Sequence, residues 1–297
     1  ATESIMGVLI IMGSGALSLT MPIAIGIALL ILLVIFSYIQ TILHYPGGGG
    51  AYTVAKDNLG TLPSLFAAGA LLTDYILTVS VSVSAVIRAL TSAFPFLFDY
   101  RVELAVAAII LLTWVNLRGV RESGTVFALP TYAFVGGVLL VIVTGLIRYF
   151  GLFGAVPLTP HALQVEAQHT FTGFALIWLL LRAFAGGCTA LTGIEAISNG
   201  VQAFKPPEPI NANKTMVWMG VMAMALFMGI SFLATHLSIV PTETDSVLSQ
   251  MTRLITGNGF IYYWVQFFTM MISVLAANTG YQDFPRLSSF LARDGFL

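Results

Sequence analysis

Two acidic residues lie inside long apolar stretches of this sequence. Asp74 falls within the run 64–94, and Glu195 falls within the run 174–203. Ionisable side chains in such runs are costly to hold away from water, and they are functional candidates by default. A carboxylate binds cations, and a buried carboxyl group takes up a proton more readily than an exposed one. These two residues are therefore predicted to bind a cation, a proton or both.

Hydroxyl-bearing residues follow Asp74 at helical spacing. Thr78 and Ser82 come four and eight residues later, so they share a helix face with Asp74, and Tyr75 lies beside that face. Carboxylate and hydroxyl oxygens are the ligands that hard cations prefer. Hydrogen bonding between helices is the alternative. That alternative is the better interpretation of the hydroxyls alone, whereas Asp74 favours a functional role.

A glycine-rich stretch precedes Glu195 and interrupts the helix pattern. A helix over the whole run 174–203 would be about 45 Å long, which is too long for a straight crossing. Gly186, Gly187 and Gly193 each lower helix propensity by about 1 kcal/mol relative to Ala. We therefore expect a broken helix, as in many transporters. Close helix packing at the glycines is an alternative that stays open.

The break would place Thr192 and Glu195 on one face, next to freed backbone carbonyls. There Glu195 could ligate a cation or exchange a proton. A structural ion pair with Arg182 or Arg88 is the competing view, although Arg182 should lie half a helix away. Glu3, near the start of the first apolar segment, stays open between a functional and a structural role.

The composition excludes several classes of protein. Hydrophobic residues make up 58% of the 297 residues and charged residues only 8%, against roughly 25% charged in soluble domains. The net charge of −1 gives no basic face for nucleic acid. The single Cys188 excludes an internal disulfide. No hydrolase or zinc-protease motif indicates an enzyme, and no cofactor is implied.

Eight apolar segments are predicted to cross the bilayer, which requires about 20 residues each. Open sheets cannot span lipid, and no alternating pattern indicates a barrel. The predicted fold is an all-α polytopic membrane protein with a single transmembrane domain over residues 1–297. The first segment is short and is expected to be part of a longer helix. The segments lie near 5–19, 22–43, 64–94, 102–117, 126–150, 174–203, 216–240 and 259–279.

Lys and Arg residues are distributed unequally between the two sets of loops, which predicts the orientation. Three lie on the outer side, at Arg101, Arg148 and Arg253. The cytoplasmic side is predicted to hold Lys56, Arg118, Arg121, Lys205, Lys214, Arg286 and Arg293.

Two loops contain residue types that are found in ligand-binding sites. The glycine run in 44–52 is predicted to be a flexible or re-entrant cytoplasmic loop, since no Gly-Lys-Ser/Thr follows it to bind phosphate. The loop 151–172 carries His161, Glu166 and His169 and is predicted to be solvated rather than a metal site.

Several segments resemble the amino acid–polyamine–organocation (APC) superfamily, and most closely its KUP-type potassium–proton symporters. They are 46–56 (PGGGGAYTVAK), 73–78 (TDYILT), 191–200 (LTGIEAISNG), 204–208 (FKPPE) and the tail 285–297. The resemblance implies an inverted five-plus-five helix repeat with broken first and sixth helices. It also leads us to expect a fragment, with part of the first helix and the last helices outside it.

The resemblance further implies proton-coupled potassium uptake across the plasma membrane by alternating access. Glu195, with Asp74, would exchange the proton, and Ser82 is a weaker addition to the site. The potassium ligands would be Asp74, Tyr75, Thr78 and Thr192. An amino-acid or organic-cation permease of the same superfamily is the alternative, and a non-transporting scaffold is a third. The oligomeric state, a homodimer included, stays open.

Overall fold

The computed structural model describes residues 1–48, 50–118, 124–158 and 171–297, and every regular element in these ranges is helical. The predicted all-α class is thus confirmed. Within the described ranges, six helices are long and apolar enough to cross a membrane, so the chain is an integral multi-pass membrane protein. The α-helices are α1 (Thr2–Leu9), α2 (Thr20–His44), α3 (Gly50–Leu59), α4 (Thr61–Ala93), α5 (Arg101–Leu117), α6 (Gly124–Tyr149), α7 (Phe174–Gly187), α8 (Ile194–Asn199), α9 (Glu208–His236), α10 (Val247–Thr256) and α11 (Phe260–Arg293).

The predicted count of eight spans was approximate. Two of the eight predicted segments are not among these six helices. One of the two is α5, which has 17 residues. The other, 5–19, divides at Gly13, whose φ of 91° is a conformation that L side chains rarely adopt. The 3₁₀ turns Ser14–Leu19 then lead directly into α2, so the second half of the expected first span belongs to the second.

Helices α4 and α11 pack along each other over most of their length. They approach each other closely at Gly280, where an added Cβ would lie 2.9 Å from the carbonyl oxygen of Tyr75. Apolar side chains such as Val83 and Ala277 fill the contact on one side of this point. In lipid such pairing depends on close packing rather than on water exclusion, which explains the glycine.

A second packing unit joins α1, α2, α7 and α9 in the larger apolar core. Ile27 and Ile31 of α2 are fully buried there, as is Met216 of α9. Large apolar side chains such as Leu33 and Phe66 stay exposed on the outer faces of the long helices. Apolar surface of this extent is suited to contact with lipid.

The loops lie at two ends of the helix bundle. At one end, here called the α3 end, Lys56 of α3 contacts Asp294 after α11. At the other, the α10 end, Arg253 of α10 contacts Ser92 near the end of α4. This division agrees with the predicted loop sides, and which end is cytoplasmic stays a prediction. Arg121 and the loop residues His161, Glu166 and His169 lie outside the described residues.

The end of the glycine-rich segment 44–52 is helical. Residues from Gly50 onward form α3, which packs on α4. Gly48 and Gly50 have φ of 78° and 51° and lie against Asn199 at the end of α8. A Cβ at Gly48 would lie 2.6 Å from the Asn199 carbonyl oxygen, so glycine allows the segment to reach this helix end.

Candidate cation-binding site

The predicted break before Glu195 is present. Helix α7 ends at Gly187, a 3₁₀ turn covers Cys188–Leu191, and Thr192 is extended. Gly193 has φ of 86° with open space around its Cβ position, so the backbone conformation requires glycine there. Because the backbone hydrogen bonds of the helix are interrupted here, carbonyl groups are left without partners inside the helix.

The other glycines of this stretch serve packing. A Cβ at Gly187 would lie 2.3 Å from Ile27 Cδ1 and 2.7 Å from Ile5 Cγ1. Gly186 lies against Ser4 of α1. The two interpretations of the glycines therefore both hold, at different positions: Gly193 produces the break, and Gly187 permits close helix packing.

A cavity of about 80 Å³ lies between α4, the break and α11. Five of the six predicted site residues line it: Asp74, Tyr75, Thr78, Thr192 and Glu195. Gly193 of the predicted break also lines it, and four residues that the sequence interpretation missed complete the lining: Ala276, Thr279, Gly280 and Asp283. The structure thus brings the two predicted carboxylates to one cavity from separate helices.

The Glu195 carboxylate is only partly satisfied. The Tyr75 hydroxyl lies next to it, and Asn199 donates a hydrogen bond to that hydroxyl at 3.4 Å. Glu195 Oε1 is buried and has no hydrogen-bond partner among the described residues. Leaving a buried carboxylate oxygen unpaired is unfavourable. A bound cation or proton would satisfy it.

Asp74 is half-buried and lines more than one cavity. It lines the small cavity and also a wider one of about 470 Å³, between α2, α4 and the break. Glu195 lines both as well, and Tyr38 of α2 joins them in the wider one. No spacing pattern singles out Tyr38 in the sequence, because it lies in an apolar helix with no acid on its face.

Ser82 and Glu3 lie elsewhere. Ser82 is buried on α4, two turns beyond Asp74, and is not among the residues that line the cavity. Glu3 pairs with Arg88 at 3.0 Å, and Arg88 also donates to the carbonyl oxygen of Thr242. Arg88 is therefore not the partner of Glu195, and the part of the structural alternative that named Arg88 was wrong. The Glu3–Arg88 pair lines a separate cavity of about 530 Å³ at the α10 end.

Asp283 was missed for an identifiable reason. The apolar run of the last segment ends near residue 279, but α11 continues through Pro285 to Arg293. Asp283 lies in this polar continuation, where hydropathy marks no span. Its position four residues after the hydroxyl of Thr279, on the same face, is the only local signal.

The comparisons with known proteins decide the family. The family model described as amino acid permease matches residues 1–297. This chain belongs to the amino acid permease family. The predicted APC membership is thereby confirmed, and family membership makes the domain a transporter domain embedded in a lipid bilayer.

Two curated relatives match this permease. Potassium transporter KimA of Bacillus subtilis (strain 168) is 43% identical over 300 residues, covering 100% of this chain and 48% of the relative. Cationic amino acid transporter 6, chloroplastic, of Arabidopsis thaliana is 25% identical over 189 residues, covering 58% of this chain and 32% of the relative. The permease chain thus spans about half the length of the Bacillus relative and about a third of the Arabidopsis relative.

The permease cavity offers an anionic, oxygen-rich environment. It combines carboxylates of Asp74 and Glu195 with hydroxyls of Tyr75, Thr78 and Thr192. No group of three or more metal-ligating side chains converges among the described residues, so the carboxylates do not form a compact divalent-metal site. Carboxylate and hydroxyl oxygens are ligands that hard cations prefer.

Proposed function

We propose that this permease domain mediates proton-coupled potassium uptake across the plasma membrane by alternating access. The potassium ligands are Asp74, Tyr75, Thr78 and Thr192. Glu195, together with Asp74, exchanges the coupled proton. The relative named as a potassium transporter supports this choice of ion.

The observation that carries the proposal is the single small cavity that both Asp74 and Glu195 line. A water molecule occupies roughly 30 Å³ of liquid volume. The cavity of about 80 Å³ therefore has room for a potassium ion with one or two waters, while hydroxyl and carboxylate oxygens replace the rest of its hydration shell. This size suits an ion better than an amino acid.

The proton role of Glu195 rests on its position. It follows directly on the break, where the short helix α8 can shift without disrupting a continuous ladder. Its unpartnered Oε1 accepts the proton, while the cation is held by Asp74 and the hydroxyl groups. Binding of both ligands neutralises both carboxylates of the cavity, so the proton and the cation move together in the same direction.

A permease for cationic amino acids is the second candidate. The Arabidopsis relative is named as a cationic amino acid transporter, and the wider cavity of about 470 Å³ is large enough for an organic cation. Asp74 and Glu195 line that cavity too and would hold an amine there. The two candidates differ in which cavity receives the substrate.

Rubidium uptake by the full-length protein in proteoliposomes tests the proposal, since rubidium replaces potassium chemically. Asp74→Asn is expected to lower uptake roughly tenfold or more, the loss of one charged ligand being worth at least 1.4 kcal/mol. Glu195→Gln is expected to abolish the stimulation of uptake by an inward proton gradient. Asp57→Asn, which removes an exposed acid on α3, is the matched control and should change neither.

Two results would contradict the proposal. If the wild type moves labelled lysine or arginine but no rubidium, the second candidate replaces the first. If rubidium uptake and its proton dependence survive both substitutions, Asp74 and Glu195 do not form the site.

A further inference from the structure

Asn199 ends the short helix α8 and contacts two other parts of the molecule. Its side-chain Nδ2 donates a hydrogen bond to the Tyr75 hydroxyl of α4 at 3.4 Å. It also meets the glycine-rich segment 44–52, because a Cβ at Gly48 would lie 2.6 Å from its carbonyl oxygen and a Cβ at Gly50 would overlap its Oδ1. Asn199 therefore links the start of α3 to a residue that lines the small cavity.

The Tyr75 hydroxyl connects Asn199 to the Glu195 carboxylate. It lies next to that carboxylate, and both residues line the small cavity. A tyrosine hydroxyl has one hydrogen to donate and accepts hydrogen bonds through its oxygen. Because Asn199 donates to that oxygen, the hydroxyl hydrogen is left for the neighbouring acceptor, Glu195. The amide thus favours the arrangement in which Tyr75 stabilises the charged form of Glu195.

Glu195 has other titratable neighbours, but they do not replace this hydroxyl. They lie on three helices: Tyr38 on α2, Asp74 on α4 and Asp283 on α11. The two aspartates have no hydrogen to donate when they are ionised. The tyrosine of α2 lines the wider cavity but not the small one. The cation Arg286 lies 3.4 Å from the aspartate of α11 and pairs with it. The hydrogen bond that Asn199 controls is therefore the one from Tyr75.

We propose that Asn199 is a positioning residue that directs the Tyr75 hydroxyl toward Glu195. Gly48 and Gly50 hold Asn199 in place, because side chains at these two positions would displace it. This role rests on the proton exchange at Glu195 in the proposed function. When the start of α3 separates from α8, the amide is released, the hydroxyl turns away and Glu195 binds its proton more tightly. The attachment of α3 thereby adjusts the proton affinity of the transport site.

The pH dependence of rubidium uptake by the full-length protein in proteoliposomes tests this role. In Asn199→Ala the pH of half-maximal uptake is expected to rise by about half a unit or more, because a hydrogen bond to a charged carboxylate is weakened. Gly50→Ala is expected to shift it in the same direction, since the added methyl group displaces Asn199. Gly47→Ala is the matched control, because a Cβ there meets nothing within 4 Å, and it should leave this pH unchanged.

A double substitution separates positioning from a merely structural role. Tyr75→Phe removes the hydroxyl through which Asn199 acts, so Asn199→Ala should shift the pH no further in that background. Shifts that add would contradict the proposal. If uptake by Tyr75→Phe is too slow to titrate, Asn199→Ala combined with Gly50→Ala decides. Both break the same chain of contacts, so their shifts should not add either.

Other outcomes are equally decisive. An unchanged or lower pH of half-maximal uptake in Asn199→Ala would overturn the proposal, and if that variant does not fold, Gly50→Ala decides by the same measurement. A wild type that moves no rubidium, or a Glu195→Gln variant that keeps its proton dependence, contradicts the proposed function itself. If Glu195→Gln loses proton dependence while Asn199→Ala keeps the wild-type pH profile, only the role of Asn199 fails.

Discussion

The two ends of the α4–α11 pair are held together in different ways. At the α10 end, Arg253 donates to Asp245 at 3.1 Å, to the Tyr262 hydroxyl at 2.8 Å and to the Ser92 carbonyl at 3.4 Å. The Tyr262 hydroxyl donates in turn to Ser92 at 2.8 Å and contacts Ser249 at 2.9 Å. Several hydrogen bonds therefore hold this end together, and two of the residues that make them, Tyr262 and Ser249, are buried.

At the α3 end the polar connection depends on one carboxylate. Asp294 accepts a hydrogen bond from Tyr52 at 2.5 Å and pairs with Lys56 at 2.6 Å. The Lys56 and Asp294 side chains are 40% and 26% exposed. Tyr52 itself is buried against Leu287 and Leu291, so α3 is also held by apolar contact.

The difference indicates which end separates more easily. A partly buried network loses several hydrogen bonds when it opens, and each is strengthened by its low-dielectric surroundings. An ion pair that faces water is weak and screened by salt. We therefore expect the α3 end to open before the α10 end.

The largest effect is expected from the α10 end. Arg253→Gln should lower the free energy of unfolding by about 2 kcal/mol, because Asp245 and Tyr262 each lose a donor that water replaces poorly. The thermal midpoint of the detergent-solubilised protein measures this. Arg101→Gln is the control, since among the described residues its guanidinium donates only to the carbonyl of Phe98 on a neighbouring turn. Equal midpoints for the two variants would show that the network does not hold this end.

A smaller, local effect is expected at the α3 end. Asp294→Asn removes the charge that holds both Lys56 and Tyr52, so α3 should detach more often while the rest of the fold remains stable. Hydrogen–deuterium exchange should rise severalfold in residues 50–59 and stay unchanged in α10. The exchanged pair Lys56→Asp with Asp294→Lys should restore part of the protection, whereas Asp57→Asn should have no effect. Faster exchange across the whole protein would contradict a local role.

The smallest effect is expected from a change of pH, acting on the attachment of α3 to the end of α11. The Lys56 ammonium and the Tyr52 hydroxyl hold the pKa of Asp294 below its usual range, while burial and the Asp294 charge raise the pKa of Tyr52 to about 12. A carboxyl group with a lowered folded-state pKa stabilises the fold above its ordinary value of about 4, and this contribution is lost as pH falls through the lowered value. The α3 attachment should therefore be constant from roughly pH 5 to 9 and loosen only at more acidic pH.

A distance between spin labels on α3 and on the end of α11 measures that attachment. The distance in the wild type should be unchanged through the neutral range, and in Asp294→Asn it should be independent of acid. A wild-type distance that increases between pH 7 and 5 would exclude Asp294 as the titrating group.

Sequence patterns were sufficient wherever the physical cause is local. A carboxylate in an apolar segment can be recognised from the sequence alone, because a charged group is unfavourable anywhere in hydrocarbon. This argument singled out Asp74 and Glu195. Gly193 was recognisable as part of a break for the same reason. The boundaries were less accurate, because hydropathy declines after residue 279 while hydrogen bonding continues α11 to Arg293.

The sequence by itself determined that this is a helical membrane protein with two acids inside its apolar segments, since lipid imposes that composition and those helices on any chain that crosses it. Only the tertiary structure decided which residues share the cavity. It paired Arg88 with Glu3, and it placed Asp283, but not Ser82, in the lining of the cavity. Those outcomes depend on the rotation and depth of one helix against another, which close packing at Gly280 and Gly187 sets. No local pattern contains that information, because the partners lie more than eighty residues apart along the chain.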